Sequence, residues 1–128
     1  MTGVKKALFR FWSSFGLPAW GQDSVPETAT LPYITFDTVS GDAMGSTILS
    51  GTVWVYDATE IDADAHRAAI LDQIADAVPH AGLMLDTEDG GFIMLYRNSG
   101  NFQRNLQDAE DRRVLGGRTT LEVHFYKT

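Results

Sequence analysis

In a chain without cysteine, reactive chemistry has to come from hydroxyls, imidazoles, carboxylates and amines. Ser40 and Ser46, in the stretch "VSGDAMGSTILSGTVWVYD", are the hydroxyls in the most suggestive setting, a glycine-bearing turn ahead of an apolar run. A serine becomes a nucleophile only beside a base. The lysines are Lys5, Lys6 and Lys127, all at the chain ends, and no base is visible for either serine. His66, His80 and His124 stand apart from one another, without a second metal-type partner at ligand spacing. Asp62, Asp64 and His66 are closer together, but they lack the glycine and terminal glutamate of a calcium loop and read as the capped start of a helix. These spacings call for no enzyme, metal or cofactor.

The turn "SGDAMG" resembles the nucleophile region of the Ser-Lys self-cleaving repressors and signal peptidases. Ser40, Gly41, Asp42 and Met44 fit that pattern, but Ala43 stands where the nucleophile belongs, and an alanine cannot attack a carbonyl. The stretch therefore reads as a turn between two strands. Gly41 and Gly45 supply the positive φ such loops often need.

With 128 residues, the chain has the length of one domain that can bury a core without staples. Its 44% hydrophobic content and 4 prolines suit a folded globular chain. A net charge of −7 opposes a nucleic-acid-binding face, because duplex affinity comes from lysine and arginine neutralising phosphate. The start "MTGVKKALFRFWSSFGLPAWG" superficially resembles a signal peptide, but Arg10 interrupts the apolar run. No stretch approaches the roughly 20 apolar residues that span a bilayer. A soluble, cytosolic protein without a membrane partner is the expectation.

The elements follow from periodicity. Val4, Ala7, Leu8, Phe11, Trp12 and Phe15 fall on one helical face, and Gly16 and Pro18 end that helix. Residues 17–31 read as an extended connector, in which Trp20 is either tucked onto its own domain or an interface anchor. "PYITFDTV" and "TILSGTVWVY" alternate with a period of two and predict paired strands. "DADAHRAAILDQIADAVP" predicts a second helix with Asp62 as its N-cap and an apolar stripe from Ala63 to Val78. "LMLDT" and "FIMLYR" predict a hairpin around Asp89-Gly90. "RTTLEVHFY" predicts the last strand, approached through a bulge or bend at "VLGG". The expected fold is α+β, with about five mostly antiparallel strands and two helices packed on one face, in the order α-β-β-α-β-β-β.

Asn98 to Arg113, "NSGNFQRNLQDAEDRR", reads as a polar loop, long for so small a domain unless it has a task. Its acids abut Arg112 and Arg113, a pattern suited to salt bridges with a neighbouring copy. The candidate interface residues are Trp20, Met44, Phe102, Arg104, Asp108, Asp111, Arg112 and Arg113.

An aromatic N-terminal helix ending in "FGLPAW", then "VPETATLPYITFDTV", "GTVWVYD" and "RRVLGGRTTLEVHFY", resembles the tail-terminator or tail-completion proteins of long-tailed bacteriophages, also called minor tail or minor capsid proteins. The resemblance covers most of the chain as a single domain, although its motifs are structural. It implies a homo-oligomeric ring, usually a hexamer, that caps the tail tube, ends its polymerisation and offers a surface to the head-side connector or neck protein. Such a protein is assembled in the host cytoplasm and belongs to the virion, at the head-proximal end of the tail. Six copies at −7 each would carry about −42 formally, a charge that lets DNA pass without specific binding. The alternatives are another neck or head-closure ring, or a small dimeric α+β ligand-binding domain.

Overall fold

The computed structural model describes residues 3–38, 45–88 and 90–126. Two helices and seven strands follow in the order α1 (Gly3–Ser13), β1 (Ala19–Gly21), β2 (Tyr33–Phe36), β3 (Gly45–Tyr56), α2 (Glu60–Ala77), β4 (Leu83–Asp86), β5 (Phe92–Arg97), β6 (Gln103–Gln107) and β7 (Val114–Tyr126). The strands form one curled, half-barrel sheet ordered β1-β2-β3-β7-β5-β4, with β6 also paired to β7. This corrects the expectation of an α+β fold with about five strands: the fold is mixed α/β, the sheet has seven strands, and the chain order gains one strand before α2 and one after it.

Both added strands lie in segments without an apolar alternation. β1 has three residues in the expected connector and runs parallel to β2, the one parallel pair among the described residues. β6 lies in the expected polar loop. Its Gln103 points its amide at Leu71 O (2.8 Å) and Thr119 Oγ1 (3.3 Å) in place of burying an apolar group. Strand pairing supplies the order that side-chain hydrophobicity does not signal.

The ladder between β3 and β7 organises the sheet. It is antiparallel and unbroken, from Gly45 opposite Phe125 to Tyr56 opposite Val114. The expected bulge at "VLGG" is therefore not formed. Gly116 and Gly117 stay in register because each makes room for a large side chain. A Cβ on Gly116 would meet the Trp54 ring at 2.7 Å, and one on Gly117 would meet Leu71 at the same distance. On the other edge of β7, β6 pairs with residues 115–119 and β5 with residues 121–126. One strand thus holds three neighbours.

Both helices lie against the same face of the sheet. Trp12 of α1 covers Gly51, whose Cβ would sit 2.5 Å from the ring, and Leu71 of α2 covers Gly117. Gly51 shares a face with Val53, and Val53 stands opposite Gly117. Between helices and sheet lie Leu8, Phe11, Trp12, Ile34, Val53, Val55, Ile74, Ile93, Leu95, Leu121 and Val123, all buried. Burying each large apolar side chain contributes about 1.5–3 kcal/mol. α1 ends where Ser14 N donates to Phe11 O, followed by Gly16 at φ +81°. On its far side, Lys6 and Arg10 grip Glu88, beyond β4, at 2.8 and 2.6 Å. Those two bonds, with Lys6 the larger influence, hold the Glu88 carboxyl below the usual glutamate range.

The N-cap of α2 is Thr59, in place of the expected Asp62: its hydroxyl accepts from Asp62 N at 3.1 Å. Asp62 sits in the first turn, where its charge complements the helix dipole. Asp64 is also drawn away from capping, since it accepts from Arg67. Among the described residues, no helix is long and apolar enough to cross a membrane.

Gly51→Ala should destabilise the fold by about 1–3 kcal/mol, because the Trp12 ring is rigid and only 1% exposed. Urea unfolding followed by tryptophan fluorescence measures the loss, and an unchanged midpoint would remove Trp12 as the constraint on this strand.

Candidate subunit interface

The segment expected to carry the interface has an internal structure that decides which of its charges are available. After β6 the chain turns back at residues 108–113, closed by Asp108 N donating to Val114 O at 3.0 Å. Asp108 Oδ1 accepts from the backbone N–H groups of Glu110 (2.8 Å) and Asp111 (3.2 Å), a side-chain turn of the kind aspartate favours. Asp111 in turn accepts from Arg113 N at 2.9 Å and from its guanidinium at 3.3 Å. Arg113 also lies over the Tyr56 ring, 5.1 Å from the centroid. The backbone N–H of Arg113 first, and its guanidinium second, hold the Asp111 carboxyl below the usual aspartate range; Asp111 raises Arg113 in return. Asp108, Asp111 and Arg113 are therefore engaged within their own turn.

The other expected residues are scattered. Phe102 is half-buried against the core, with the Arg97 guanidinium 4.7 Å from its ring centroid. Arg97 is itself held by Val78 O and Ala75 O, both at 2.7 Å, so Phe102 packs as part of a helix anchor. Trp20 sits on β1, lining an apolar groove with Leu8, Phe9 and Phe36. Its Nε1 is buried without a hydrogen-bond partner among the described residues. Arg112 is exposed and gives only its carbonyl oxygen to Gln107, at 3.5 Å. Met44 lies outside the described residues.

Arg104 is the one that meets another charged residue across the sheet. It is exposed on β6, directly opposite Arg118 of β7, and Arg118 stands opposite Thr52 of β3, which stands opposite Thr35 of β2. This row, Thr35–Thr52–Arg118–Arg104, lies on the face away from the helices. Beside it Trp54 covers Gly116. Thr35, Ser50, Thr52, Trp54 and Arg118, with Gln22 and Asp37, line a cleft of about 420 Å³. Asp37 accepts from Ser50 N at 2.9 Å, and Ser50 Oγ lies 3.2 Å from Thr120 Oγ1. Like charges directly opposite on paired strands repel. Among the described residues neither Arg104 nor Arg118 has an ion-pair partner.

Two residues of this region, Arg118 and Arg67, are not among the candidates. Arg118 gains its place from strand register, which sets it opposite Arg104, a residue of the expected loop. Arg67 lay inside an apolar helical stripe. It is only 7% exposed, and its guanidinium donates to Leu106 O (3.1 Å), Gly116 O (3.3 Å) and the Asp64 carboxylate. The signal for it was the i, i+3 spacing from Asp64. It ties α2 to β6 and β7 directly behind the arginine row.

Catalytic geometry is sparse. His66 meets Asp57 at 3.2 Å and His124 meets Glu122 at 3.0 Å, each as a pair without a third group, among the described residues, that would orient it toward a nucleophile. Among the described residues, no group of three or more histidines and carboxylates could hold a metal ion. Comparison with protein-family models, curated proteins and solved structures finds no match to this chain.

Because a backbone N–H is the larger influence on Asp111, its carboxyl should still titrate below the usual aspartate range in Arg113→Ala, shifted only part of the way back. Carbon-detected NMR titration reads this directly. The stabilisation from Asp111 is present above the usual aspartate range and lost as pH falls through the lowered value. A full return to the usual range in Arg113→Ala would show that the guanidinium, and not the turn, holds the charge.

Proposed function

We propose that this chain is a structural subunit of a long-tailed phage, a ring that caps the tail tube, ends its polymerisation and presents a surface to the head-side connector. The observation that carries the reading is an open sheet with unlike edges. One edge is β1, a three-residue strand beside α1; the other is β4, a four-residue strand with Met84 56% exposed. Such edges are not self-complementary, so contact between them is head-to-tail, and head-to-tail contacts close into rings where the rotation allows. Open edges also demand cover or a partner.

Charge supports the same reading. The solvent side of α2 carries Glu60, Asp62, Asp64, Asp72 and Asp76, and the only arginine of that helix is buried. A ring of such chains, each at −7, carries a net negative charge that repels DNA. The order of motifs that resembles the tail-terminator proteins spans the same elements: the aromatic helix is α1, the tryptophan strand is β3 and the closing motif is β7.

Purified protein should form rings alone or on the ends of isolated tail tubes, seen by negative-stain microscopy. Particles assembled without it should carry overlong tails. Tails of normal length left unattached to heads would move the function to head joining. A chain that stays monomeric and never decorates tube ends would sink the ring.

A further inference from the structure

Neither arginine of the row on the helix-free face has an ion-pair partner among the described residues, although Asp37 lines the same cleft, and the same molecule carries an acidic surface on its opposite side. Arg104 and Arg118 are exposed, directly opposite each other, and unpaired among the described residues. The nearby carboxylates have other partners: Asp37 accepts from Ser50 N, Glu122 is beside His124, and Asp111 holds Arg113. A carboxylate placed between two guanidiniums accepts from both, converting a repulsion into charge-assisted hydrogen bonds. The hydroxyls of Thr35 and Thr52 continue the row, so the cleft offers donors to the second oxygen.

Behind the sheet, the outer side of α2 presents Asp62, Ala65, Ala69, Asp72 and Asp76 at spacings of three and four, all exposed. The alanines keep this stripe flat, which lets a partner approach closely. No exposed lysine or arginine on α2 neutralises it. α2 lies over β7 at Gly117, next to Arg118, so the acidic stripe and the arginine row occupy opposite sides of the same part of the molecule.

We propose that Arg118, which lines the cleft, and Arg104, opposite it on β6, form a carboxylate-binding site, and that its occupant is the acidic face of α2 from a second copy of this chain. The charge complementarity is internal to one sequence. Because the two patches do not overlap, each copy can give its helix to one neighbour and its cleft to another, which is the head-to-tail contact a ring needs. The inference rests on the ring reading for its occupant, and it places a contact on the two faces of the molecule, distinct from the β1 and β4 edges.

A charge swap tests it. The mass of the assembly, by sedimentation velocity at low salt with and without tail-tube ends, is compared for the wild type, for Arg104→Glu with Arg118→Glu, and for Asp72→Lys with Asp76→Lys. Asp64 is left alone because it holds Arg67. Each double variant should fold, judged by circular dichroism, and lose assembly at least tenfold in the concentration required. The two variants mixed should recover it, since the reversed cleft fits the reversed helix and the two native surfaces still fit each other. Ring assembly that is indifferent to both variants would overturn this contact while leaving the ring intact. A wild type that never assembles, even on tube ends, would overturn both. Inorganic phosphate bound at Arg118 with masses unmoved by the swap would assign the cleft to a small anion and reject the second copy. Variants that fail to fold are replaced by Arg104→Gln and Asp76→Asn, for which weakened assembly supports the contact and unchanged assembly overturns it.

Discussion

Three glycines determine how closely the layers of this protein approach. Gly51 admits Trp12 from α1, Gly117 admits Leu71 from α2 on the same face, and Gly116 admits Trp54 on the other. In each case the absent Cβ brings a large side chain onto the backbone of the β3–β7 ladder. The ladder could not otherwise stay straight through "VLGG" with bulky groups on both faces. Dispersion explains why the arrangement is worth its conformational cost: a ring lying directly on a peptide plane makes many contacts at optimal separation. Glycine in a strand interior is unfavourable by itself, so its place here is explained by what packs on it.

Arg67 converts that packing into a fixed position for the arginine row. Its guanidinium reaches two carbonyls, on β6 and on β7, and a carboxylate on its own helix. A buried cation is tolerated only when its donors are satisfied. The consequence is that β6, polar at every position but Leu106, is held at β7 from behind by α2, while Gln103 adds a bond to Leu71 O. Without those ties a strand of glutamine, arginine and asparagine would have little reason to stay in the sheet. With them, Arg104 is held opposite Arg118 despite their repulsion.

The parts of the fold legible in the sequence are those where one face of an element meets the core. Ala7, Leu8, Phe11 and Trp12 are buried as their spacing indicates, as are Leu49, Val53 and Val55 on β3. β1 and β6 were not legible, since one is too short for a period and the other replaces apolar contacts with hydrogen bonds. Asp62 misled for a related reason: several acids crowd the start of α2, and only the backbone geometry shows that Thr59 caps it, at φ −128°. Of the candidate interface, Arg104 could be chosen as a type but not as a position. Its significance comes from strand register, which pairs residues fourteen apart in sequence.

Register also redistributes the charges of the polar segment. Read linearly, Asp108, Asp111 and Arg113 look like groups awaiting a neighbour. In the fold they close their own turn, and a carboxylate already accepting two hydrogen bonds has less to offer another molecule. The turn fixes β6 to β7, and β6 holds Arg104 in the row. The local ion pair and the unpaired arginines therefore have different tasks in one device: the first fixes the geometry that keeps the second exposed. Screening makes that distinction physical. The Debye length is about 8 Å at physiological ionic strength, so exposed arginines act chiefly on a partner close enough to touch them. A surface of this kind steers weakly at a distance and discriminates at contact, which suits subunits that must join in one orientation.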